Sequence, residues 1–288
     1  MYACLYLIFL QSRNIIPARL LSNRDSIMII LSNGKYLGSN KQSYDGGGIT
    51  LTETEYHNRV FEGWHSHENI HISLIIKGGN REERKQTDMV VLPGKLLFYH
   101  QDELHRNLHT SHPSKNINLE ISREFMQQYE LGENEIEEVS LHPDAGFNLL
   151  KMYQEAWQAD HFSASSMQML LLELMADTKN LSKKQPPWLK TIIEFLQDNW
   201  REHPGLNELA RLSYVNPITV SKHFSKYMGC TLGQYMRKLK IQHALHLIHD
   251  SSMSLTEIAY HCGFADQSHF IRNFREQTKF LPKAYQKL

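Results

Sequence analysis

The stretch Glu257–Phe274 reads EIAYHCGFADQSHFIRNF and contains two short helical patterns separated by a glycine. Ile258 marks the apolar face of the first pattern, and Phe270 and Phe274, four residues apart, mark that of the second. Gly263 lies between them and can adopt the positive φ that a tight turn needs. The stretch therefore predicts a helix, a turn and a second helix whose outer face is polar.

A looser copy of this pattern, ELARLSYVNPITVSKHF, occupies Glu208–Phe224, 49 to 50 residues earlier. The copies align without a gap as far as the turn, where the second copy has one extra residue. A favoured N-cap residue precedes the second helix in each copy, Asn216 before Pro217 and Asp266 before Gln267. The repeat therefore predicts two helix-turn-helix units.

Two further helix starts have the spacing of a capping box, Thr231 with Gln234 and Ser254 with Glu257. Between them, Leu232–His249 carries apolar residues at helical spacing and predicts one long helix that joins the two units. Its 18 residues would extend about 27 Å. Successive major grooves on one face of DNA lie about 34 Å apart. The long helix is therefore predicted to hold two reading helices near neighbouring grooves.

In each helix-turn-helix unit, the outer face of the second helix carries side chains of the types that contact bases and phosphates in DNA. Arg and Lys bind guanine, Gln and Asn bind adenine, Ser and Thr bind several bases, and aliphatic side chains contact the thymine methyl group. The opposite faces carry Val220 and Phe224 in one helix and Phe270 and Phe274 in the other, and are predicted to be buried. DNA contacts are predicted for Ile218, Thr219, Ser221, Lys222, Lys226, Gln267, Ser268, His269, Arg272, Asn273 and Arg275.

Residues 206–245 and 254–285 resemble the paired helix-turn-helix domain of AraC-type transcription regulators. The clearest match is IAYHCGFADQSHFIRNF, which resembles the family pattern I-A-x-x-x-G-F-x-x-x-S-x-F-x-x-x-F. Lys240 stands at a usual arginine, and Lys279 stands where glycine commonly helps to end a helix. The resemblance implies promoter DNA and RNA polymerase as partners. It places recognition at Ile218, Ser221, Lys222, Gln267, His269 and Arg272.

Charge is distributed unevenly along the 288 residues, although the formal net charge is zero. The segment from Trp188 to Leu288 has 13 Lys and Arg against 8 Asp and Glu, which leaves 18 against 23 for the rest of the chain. A basic C-terminal third suits a polyanionic partner. The three cysteines lie far apart and in no CxxC spacing, which argues against a disulfide framework or a cysteine zinc site and favours a reducing cytoplasm.

The N-terminal half has a different pattern. Short apolar runs bounded by turn residues, from Gly48 to Ile121, predict a small all-β sandwich or barrel. Leucines, methionines and aromatics at helical spacing follow, until two prolines at positions 186 and 187 interrupt them. The apolar run Tyr2–Leu10 is too short for a membrane span and lacks the basic region of a signal peptide, and Met28 is an alternative start.

The segments GWHSHENIHISLIIKGG and VVLPGKLLFYHQDELHRNL are similar to the two motifs of cupins. AraC-type regulators often carry such a jelly-roll domain as an effector sensor. In metal-binding cupins the matching positions surround an ion, and here they are His65, His67, His71 and His105, with His71 where glutamate is expected. The preferred interpretation is a metal-free pocket for a small polar or aromatic effector; its predicted lining is Trp64, His65, His67, Tyr99 and His105. The alternative is a four-imidazole set for zinc, nickel or copper. Trp64 and Tyr99 are also compatible with ordinary core packing.

These patterns together predict a multidomain α+β fold, with an N-terminal cupin-like β-barrel (jelly roll), following helices, and a C-terminal all-α domain with two helix-turn-helix units. The predicted divisions are an extension at 1–40, a sensing domain at 41–122, helices at 123–180, a linker at 181–187 and a DNA-binding domain at 188–288. The apolar segment MQMLLLELM, Met167–Met175, predicts a homodimer interface, with packing on the barrel as the alternative.

The predicted function is a cytoplasmic, sequence-specific DNA-binding regulator that responds to a small effector and has no catalytic activity and no cofactor. The alternative is a metal-dependent cupin enzyme or a metal-sensing regulator. His243, His246 and His249 lie three residues apart on the long helix, but they are assigned to ordinary helix histidines rather than to a metal site.

Overall fold

The computed structural model describes residues 19–23, 26–158, 160–181, 186–250 and 252–288. These residues divide into two compact units, one of residues 19–140 with 155–167 and one of residues 141–154 with 168–288. The apolar run Tyr2–Leu10 and the centre of the predicted linker, residues 182–185, lie outside the described residues. No described helix is long and apolar enough to cross a bilayer.

The first unit contains all of the described strands. Their bounds are β1 (Arg19–Asn23), β2 (Ser26–Leu31), β3 (Ser39–Gly46), β4 (Ile49–Tyr56), β5 (His65–His67), β6 (Ile70–Lys77), β7 (Asn80–Arg84), β8 (Asp88–Val91), β9 (Leu96–Tyr99), β10 (His105–Leu108) and β11 (Ser114–Ile121).

These strands form two sheets that face a common interior. One sheet has the order β1-β2-β5-β10-β7-β8, and the other has the order β3-β4-β11-β6-β9. No ladder joins the sheets among the described strands, so the predicted cupin-like domain takes the form of a two-sheet β-sandwich and not of a closed barrel. Strand β6 is buried along nearly its whole length and is paired on both sides, with β11 and with β9. The predicted α+β architecture is otherwise confirmed.

An ordered strand lies within the stretch that the sequence predicts as an N-terminal extension, residues 1–40. Strand β2, which falls in the predicted extension at 1–40, pairs in parallel with β5, and Ile29 lies beside His65 and Leu31 beside His67. Ile29 and Leu31 are buried with Tyr56. Ile29 and Leu31 lie two residues apart and so share the face of β2 that packs on the core, while Ile30 between them is half-buried. This part of the chain therefore belongs to the folded unit.

The helices begin after β11. Their bounds are α1 (Arg123–Gln128), α2 (Glu133–Ser140), α3 (Ala145–Gln158), α4 (Ser163–Leu181), α5 (Pro187–Asp198), α6 (Leu206–Ser213), α7 (Pro217–Met228), α8 (Leu232–Asp250), α9 (Leu255–His261), α10 (Gln267–Thr278) and α11 (Pro282–Tyr285). The core between α5 and α8 is built from Leu189, Ile192, Leu196, Leu209, Val220, Phe224, Tyr235 and Met236.

Candidate nucleic-acid interface and buried histidine cluster

The first helix-turn-helix unit consists of α6 and α7. The side chain of Asn216 accepts a hydrogen bond from the Ile218 amide at 2.8 Å, and Pro217 occupies the first position of α7. Both features were predicted, because Asn satisfies a free amide of the first turn and Pro has no amide to satisfy. Val220 and Phe224 are fully buried, so the opposite face of α7 is turned to solvent.

That outer face of α7 carries the predicted contacts of the first unit. Ile218 is 65% exposed. Ser221, Lys222 and Lys226 are exposed, and Thr219 is half-buried. An aliphatic group, hydroxyls and ammonium groups are therefore presented on one short helix.

The second unit consists of α9 and α10. Ser254 and Glu257 form the predicted capping box at the start of α9. Asp266 accepts from the amide of His269 at 2.7 Å and starts α10. Phe270 and Phe274 are fully buried. Of the predicted contacts on this helix, Ser268, Arg272 and Arg275 are exposed, and Gln267 and His269 are half-buried.

Asn273 departs from the prediction. It is only 5% exposed, and its side-chain amide donates to the carbonyl of His269 at 2.8 Å. Because Asn273 lies three residues after Phe270, it shares the inward face of α10. Its amide group is therefore used inside the domain and is not presented to a base.

The two units use glycine at opposite places. Both turns contain a residue with positive φ, Tyr214 at 56° in the first unit and Gly263 at 69° in the second. Both reading helices also end in such a residue, Gly229 at 65° in the first and Lys279 at 64° in the second. Lys279 thus occupies a conformation that glycine adopts without strain, which explains why glycine is common at this position but not why this chain has lysine.

The long helix α8 joins the units as predicted. It has 19 residues and so extends about 28 Å. Its start is capped by Thr231, whose hydroxyl accepts from the amide of Gln234 at 3.2 Å. Lys240 is 3% exposed, and its ammonium donates to the carbonyl of Gly263 at 3.1 Å and to His203 Nε2 at 3.0 Å. The lysine at the usual arginine position therefore ties α8 to the turn of the second unit, and burial lowers its pKa.

The histidines of α8 form no metal group. His243 stacks on Trp200, with ring centroids 3.8 Å apart. Within the described ranges, one group of His, Cys, Asp and Glu side chains is close enough to hold an ion. It consists of His65, His67 and His105 and lies in the β-sandwich.

This group, called here the histidine cluster, is formed where β5 meets β10. His65 and His105 are directly paired across the two strands, and His67 follows two residues later on the same face of β5. Each of the three rings offers one nitrogen, and these nitrogens lie within 4.8 Å of one another. The three residues are between 1% and 4% exposed.

Hydrogen bonds determine the tautomer of two of these rings. His65 Nδ1 lies 3.2 Å from the carbonyl oxygen of Gly63, and His105 Nδ1 lies 3.0 Å from that of Glu103. A carbonyl oxygen only accepts, so Nδ1 carries the proton in both rings and Nε2 keeps its lone pair. Burial lowers the pKa of His65 to about 4 and that of His105 well below its usual range. Both rings are therefore neutral at neutral pH.

Three further aromatic residues, His71, Tyr99 and Tyr36, surround the cluster. The ring of His71 lies 4.2 Å from that of His67 and stacks at 4.3 Å on Tyr99, between centroids. Tyr36 lies 5.1 Å from His67. His67 Nδ1 forms no hydrogen bond with any described residue. Burial lowers the pKa of His67 well below its usual range and that of His71 to about 3.

Two buried carboxylates lie behind the tyrosines. Glu120 accepts from the hydroxyl of Tyr36 at 2.7 Å and from the amide of Gly34 at 2.7 Å. Burial raises the pKa of Glu120 to about 7. Glu82 accepts from the hydroxyl of Tyr99 and from Arg84 Nε, the latter at 2.6 Å. The sequence prediction missed Tyr36, Glu82 and Glu120; a glutamate within the apolar strand NINLEIS was the available signal.

Four of the five predicted effector residues are brought together, and the fifth is not. His65, His67, Tyr99 and His105 form one packed group. Trp64 instead has the Arg106 guanidinium 5.0 Å from the centre of its ring and lines an outer cleft of 710 Å³ that is also lined by Arg84 and Leu104. Successive residues of a strand point to opposite faces, which separates Trp64 from His65.

Two family models match the chain. The AraC-like ligand binding domain matches residues 46–179, and a helix-turn-helix domain matches residues 209–288. Among curated proteins, the HTH-type transcriptional activator RhaS of Escherichia coli O157:H7 (strain EC4115 / EHEC) is 26% identical over 138 residues, which are 46% of this chain and 50% of that protein. The chain thus spans about half the length of the curated relatives it matches.

Among solved structures, the DNA-binding domain of AdpA, crystallised with a target DNA, is 24% identical and covers 34% of this chain and 89% of its own, with a TM-score of 0.32. ToxT from Vibrio cholerae is 12% identical and covers 84% of this chain and 98% of its own, with a TM-score of 0.35. Both TM-scores are below 0.5, so the family assignment depends on the two domain models.

Proposed function

Because this chain belongs to the AraC-type transcription regulators, with an AraC-like ligand-binding domain and a helix-turn-helix domain, we propose that it binds promoter DNA sequence-specifically. We also propose that a small ligand bound by the β-sandwich domain controls this binding. We infer two DNA-reading helices, α7 and α10, which enter neighbouring major grooves of one duplex. The proposal includes no catalytic reaction.

The observation that supports the proposal best is the same arrangement in both repeats. Each reading helix has a side-chain N-cap, buries two apolar residues four apart, and leaves a basic side chain exposed, Lys222 on α7 and Arg272 on α10. Base edges are read by exposed side chains on a helix that is held from behind. The basic C-terminal third adds attraction to the phosphates.

The remaining partners follow from this role. A promoter-binding protein acts in the cytoplasm and works with RNA polymerase, and both are part of the proposal. A homodimer is also proposed, through the face of α4 that carries Met169, a methionine that is 70% exposed.

Selection of bound duplexes from a random library by the full-length protein tests the proposal. We expect enrichment of one site with two half-sites, each read by one helix. Binding that shows no enrichment, with all sequences retained equally, would contradict sequence-specific recognition. The same selection with the double variant Lys222→Ala and Arg272→Ala is the matched control, in which we expect enrichment to disappear.

A further inference from the structure

We propose that a terminal phosphate group, as carried by a small phosphorylated molecule, binds to four side chains of the C-terminal helical domain: Arg201, His203, Lys240 and His261. These side chains, called here the basic cluster, lie where the loop before α6, the helix α8 and the end of α9 meet. The inference goes beyond the proposed function, because the site follows from the contacts of the cluster and not from DNA binding. The phosphodiester backbone of DNA is the other source of the same chemistry.

Hydrogen bonds hold the basic cluster around the turn of the second helix-turn-helix unit. A guanidinium nitrogen of Arg201, Nη2, donates to Nε2 of His261. The ammonium of Lys240 donates to Nε2 of His203 at 3.0 Å and to the carbonyl oxygen of Gly263 at 3.1 Å. Side chains from three separate segments of the domain are therefore brought to one place.

The turn itself packs tightly against the cluster. Gly263 has a φ of 69°, and a Cβ at this position would lie 3.0 Å from the carbonyl oxygen of Arg201 and 3.0 Å from the ammonium nitrogen of Lys240. Both distances are shorter than ordinary van der Waals contacts of carbon. The glycine therefore allows the loop before α6 and the side chain of Lys240 to approach the turn together.

The polar groups that remain free in the basic cluster are all donors. A guanidinium and an ammonium only donate, so the Nε2 atoms that they reach are acceptors, and Nδ1 carries the proton in both His203 and His261. Within the described residues, neither Nδ1–H group forms a hydrogen bond, and Arg201 and Lys240 both have further N–H groups without an acceptor. A ligand of this site must therefore supply several acceptor atoms.

The positive charges of the cluster have no carboxylate partner. Lys238, two residues earlier on α8, pairs with Asp144 at 2.6 Å. In the part of the chain that the structure describes, neither Arg201 nor Lys240 forms such a pair, and the neighbouring Glu202 is exposed and paired with neither. Lys240 is nevertheless buried, and a buried cation without a counter-charge costs free energy. A bound anion supplies the missing charge, whereas a neutral ligand does not.

The cluster is open to solvent on one side. Arg201 and His203 are exposed and His261 is half-buried, whereas Lys240 lies behind them. The ring of Trp200 supports the guanidinium, whose carbon atom lies 4.9 Å from the ring centre. A ligand can therefore reach the donors without displacing core residues.

The number of donors favours a terminal phosphate group over other anions. A guanidinium binds two oxygens of an anion side by side. The ammonium and the two ring N–H groups remain for further oxygens, which a terminal phosphate group has and a carboxylate lacks. The phosphodiester link of DNA has two free oxygens, so it satisfies fewer of these donors. A small phosphorylated molecule is therefore the favoured ligand.

Titration calorimetry of the full-length protein with inorganic phosphate tests the site, with chloride used to keep the ionic strength constant. We expect saturable binding. Arg201→Gln should weaken this binding about tenfold or more, because it removes charged hydrogen-bond donors from the anion. Lys190→Gln is the matched control, since it removes the same charge from an exposed position on α5, 3.8 Å from Glu194. Its affinity for phosphate should equal that of the unaltered protein.

Three results would overturn the site: no saturable binding by the unaltered protein, the same affinity in Arg201→Gln, or an equal loss in Lys190→Gln. Should Arg201→Gln fail to fold, as judged by circular dichroism, His203→Ala decides instead, because His203 lies in an exposed loop. Weaker phosphate binding by that variant supports the site, and unchanged binding overturns it.

The salt dependence of duplex binding distinguishes the two sources of phosphate. With a small molecule as the occupant, Arg201→Gln should leave the slope of log affinity against log salt unchanged for a duplex obtained by the selection. A slope lower by about 1 would place a backbone phosphate at the cluster and overturn the small molecule as its occupant. Phosphate binding by a protein that selects no duplex overturns the proposed function alone, and duplex selection without phosphate binding overturns the site alone.

Discussion

At the scale of single residues, position on the reading helix distinguishes base contacts from phosphate contacts. Arg272→Ala is expected to weaken binding of the selected site by about 1–3 kcal/mol and to relax base preference at one position, because a guanidinium in the groove reads base edges. Lys226→Ala is expected to weaken all duplexes alike and to lower the slope of log affinity against log salt by about 1. Fluorescence anisotropy with selected and scrambled duplexes at several salt concentrations measures both.

Lys190→Ala is the control for these variants. Lys190 is an exposed lysine on α5, 3.8 Å from Glu194, and its loss should leave affinity and base preference as they are. An unchanged base preference in Arg272→Ala would show that α10 is not the reading helix.

Also at the residue scale, Glu120 makes the stability of the β-sandwich domain dependent on pH. Its pKa of about 7 in the folded chain exceeds the ordinary value of 4.5, so the folded state holds a proton that the unfolded state releases between these values. The contribution is fully present below pH 4.5 and is lost as the pH rises through 7. It amounts to about 3 kcal/mol at most.

Glu120→Gln removes this titration. Urea unfolding at pH 4.5, 5.5, 6.5 and 7.5 should show the free energy of unfolding of the unaltered protein falling relative to that of Glu120→Gln as the pH rises. The difference between the two proteins cancels the titration of the neighbouring histidines. A difference that is constant across these pH values would mean that Glu120 is ionised throughout.

At the scale of helices and turns, the two repeats differ in where they place glycine. Lys279 ends α10 at a φ of 64°, where a residue with a Cβ is strained by about 1–2 kcal/mol. Lys279→Gly should therefore raise the free energy of unfolding of the C-terminal helical domain by about 0.5–1 kcal/mol, after the larger entropy of glycine in the unfolded chain is subtracted. The midpoint of urea unfolding, followed by the tryptophans of the second unit, measures the change.

The reverse substitution at the matched position tests the same physical cause. Gly229→Ala adds a Cβ that meets no atom within 4 Å, so the strain of positive φ is its only cost, and about 0.5–1 kcal/mol of destabilisation remains after the lower entropy of alanine in the unfolded chain is subtracted. Equal and opposite shifts in the two variants are expected. If Lys279→Gly left the stability unchanged while Gly229→Ala lowered it, this would mean that contacts of the Lys279 side chain offset the strain of its positive φ.

At the scale of the whole DNA-reading unit, α8 sets the spacing of the sites it can read. A rigid helix of about 28 Å suits reading helices one turn of DNA apart. Inserting five base pairs between the two half-sites of the selected duplex turns one half-site to the opposite face. Affinity should then fall by about 100-fold or more, since only one unit can bind. The same insertion outside the site should have no effect, and tolerance of the central insertion would contradict a rigid α8.

Much of this unit could be predicted from sequence. Caps at Asn216, Asp266 and Ser254 depend on residues two or three positions away, and the buried pairs such as Phe270 and Phe274 depend on helical spacing. Asn273 was misplaced because residue type alone does not show which polar side chains satisfy the helix backbone. The resemblance to cupins brought His65, His67 and His105 together in advance, but not Tyr36 or Glu120, which are far away in the chain and meet the cluster only through the packing of the two sheets.

The sequence by itself determined the two helix-turn-helix units, the connecting helix and the membership of the family, because those features follow from contacts within a few residues along the chain. The tertiary structure decided that the sandwich is open, that β2 belongs to it, that Trp64 faces away from the histidines, and that His65, His67, His71 and His105 pack into one buried group. Those outcomes depend on strand register and on contacts between residues far apart in the chain. Local sequence patterns do not specify which distant residues meet, so only the folded structure shows these contacts.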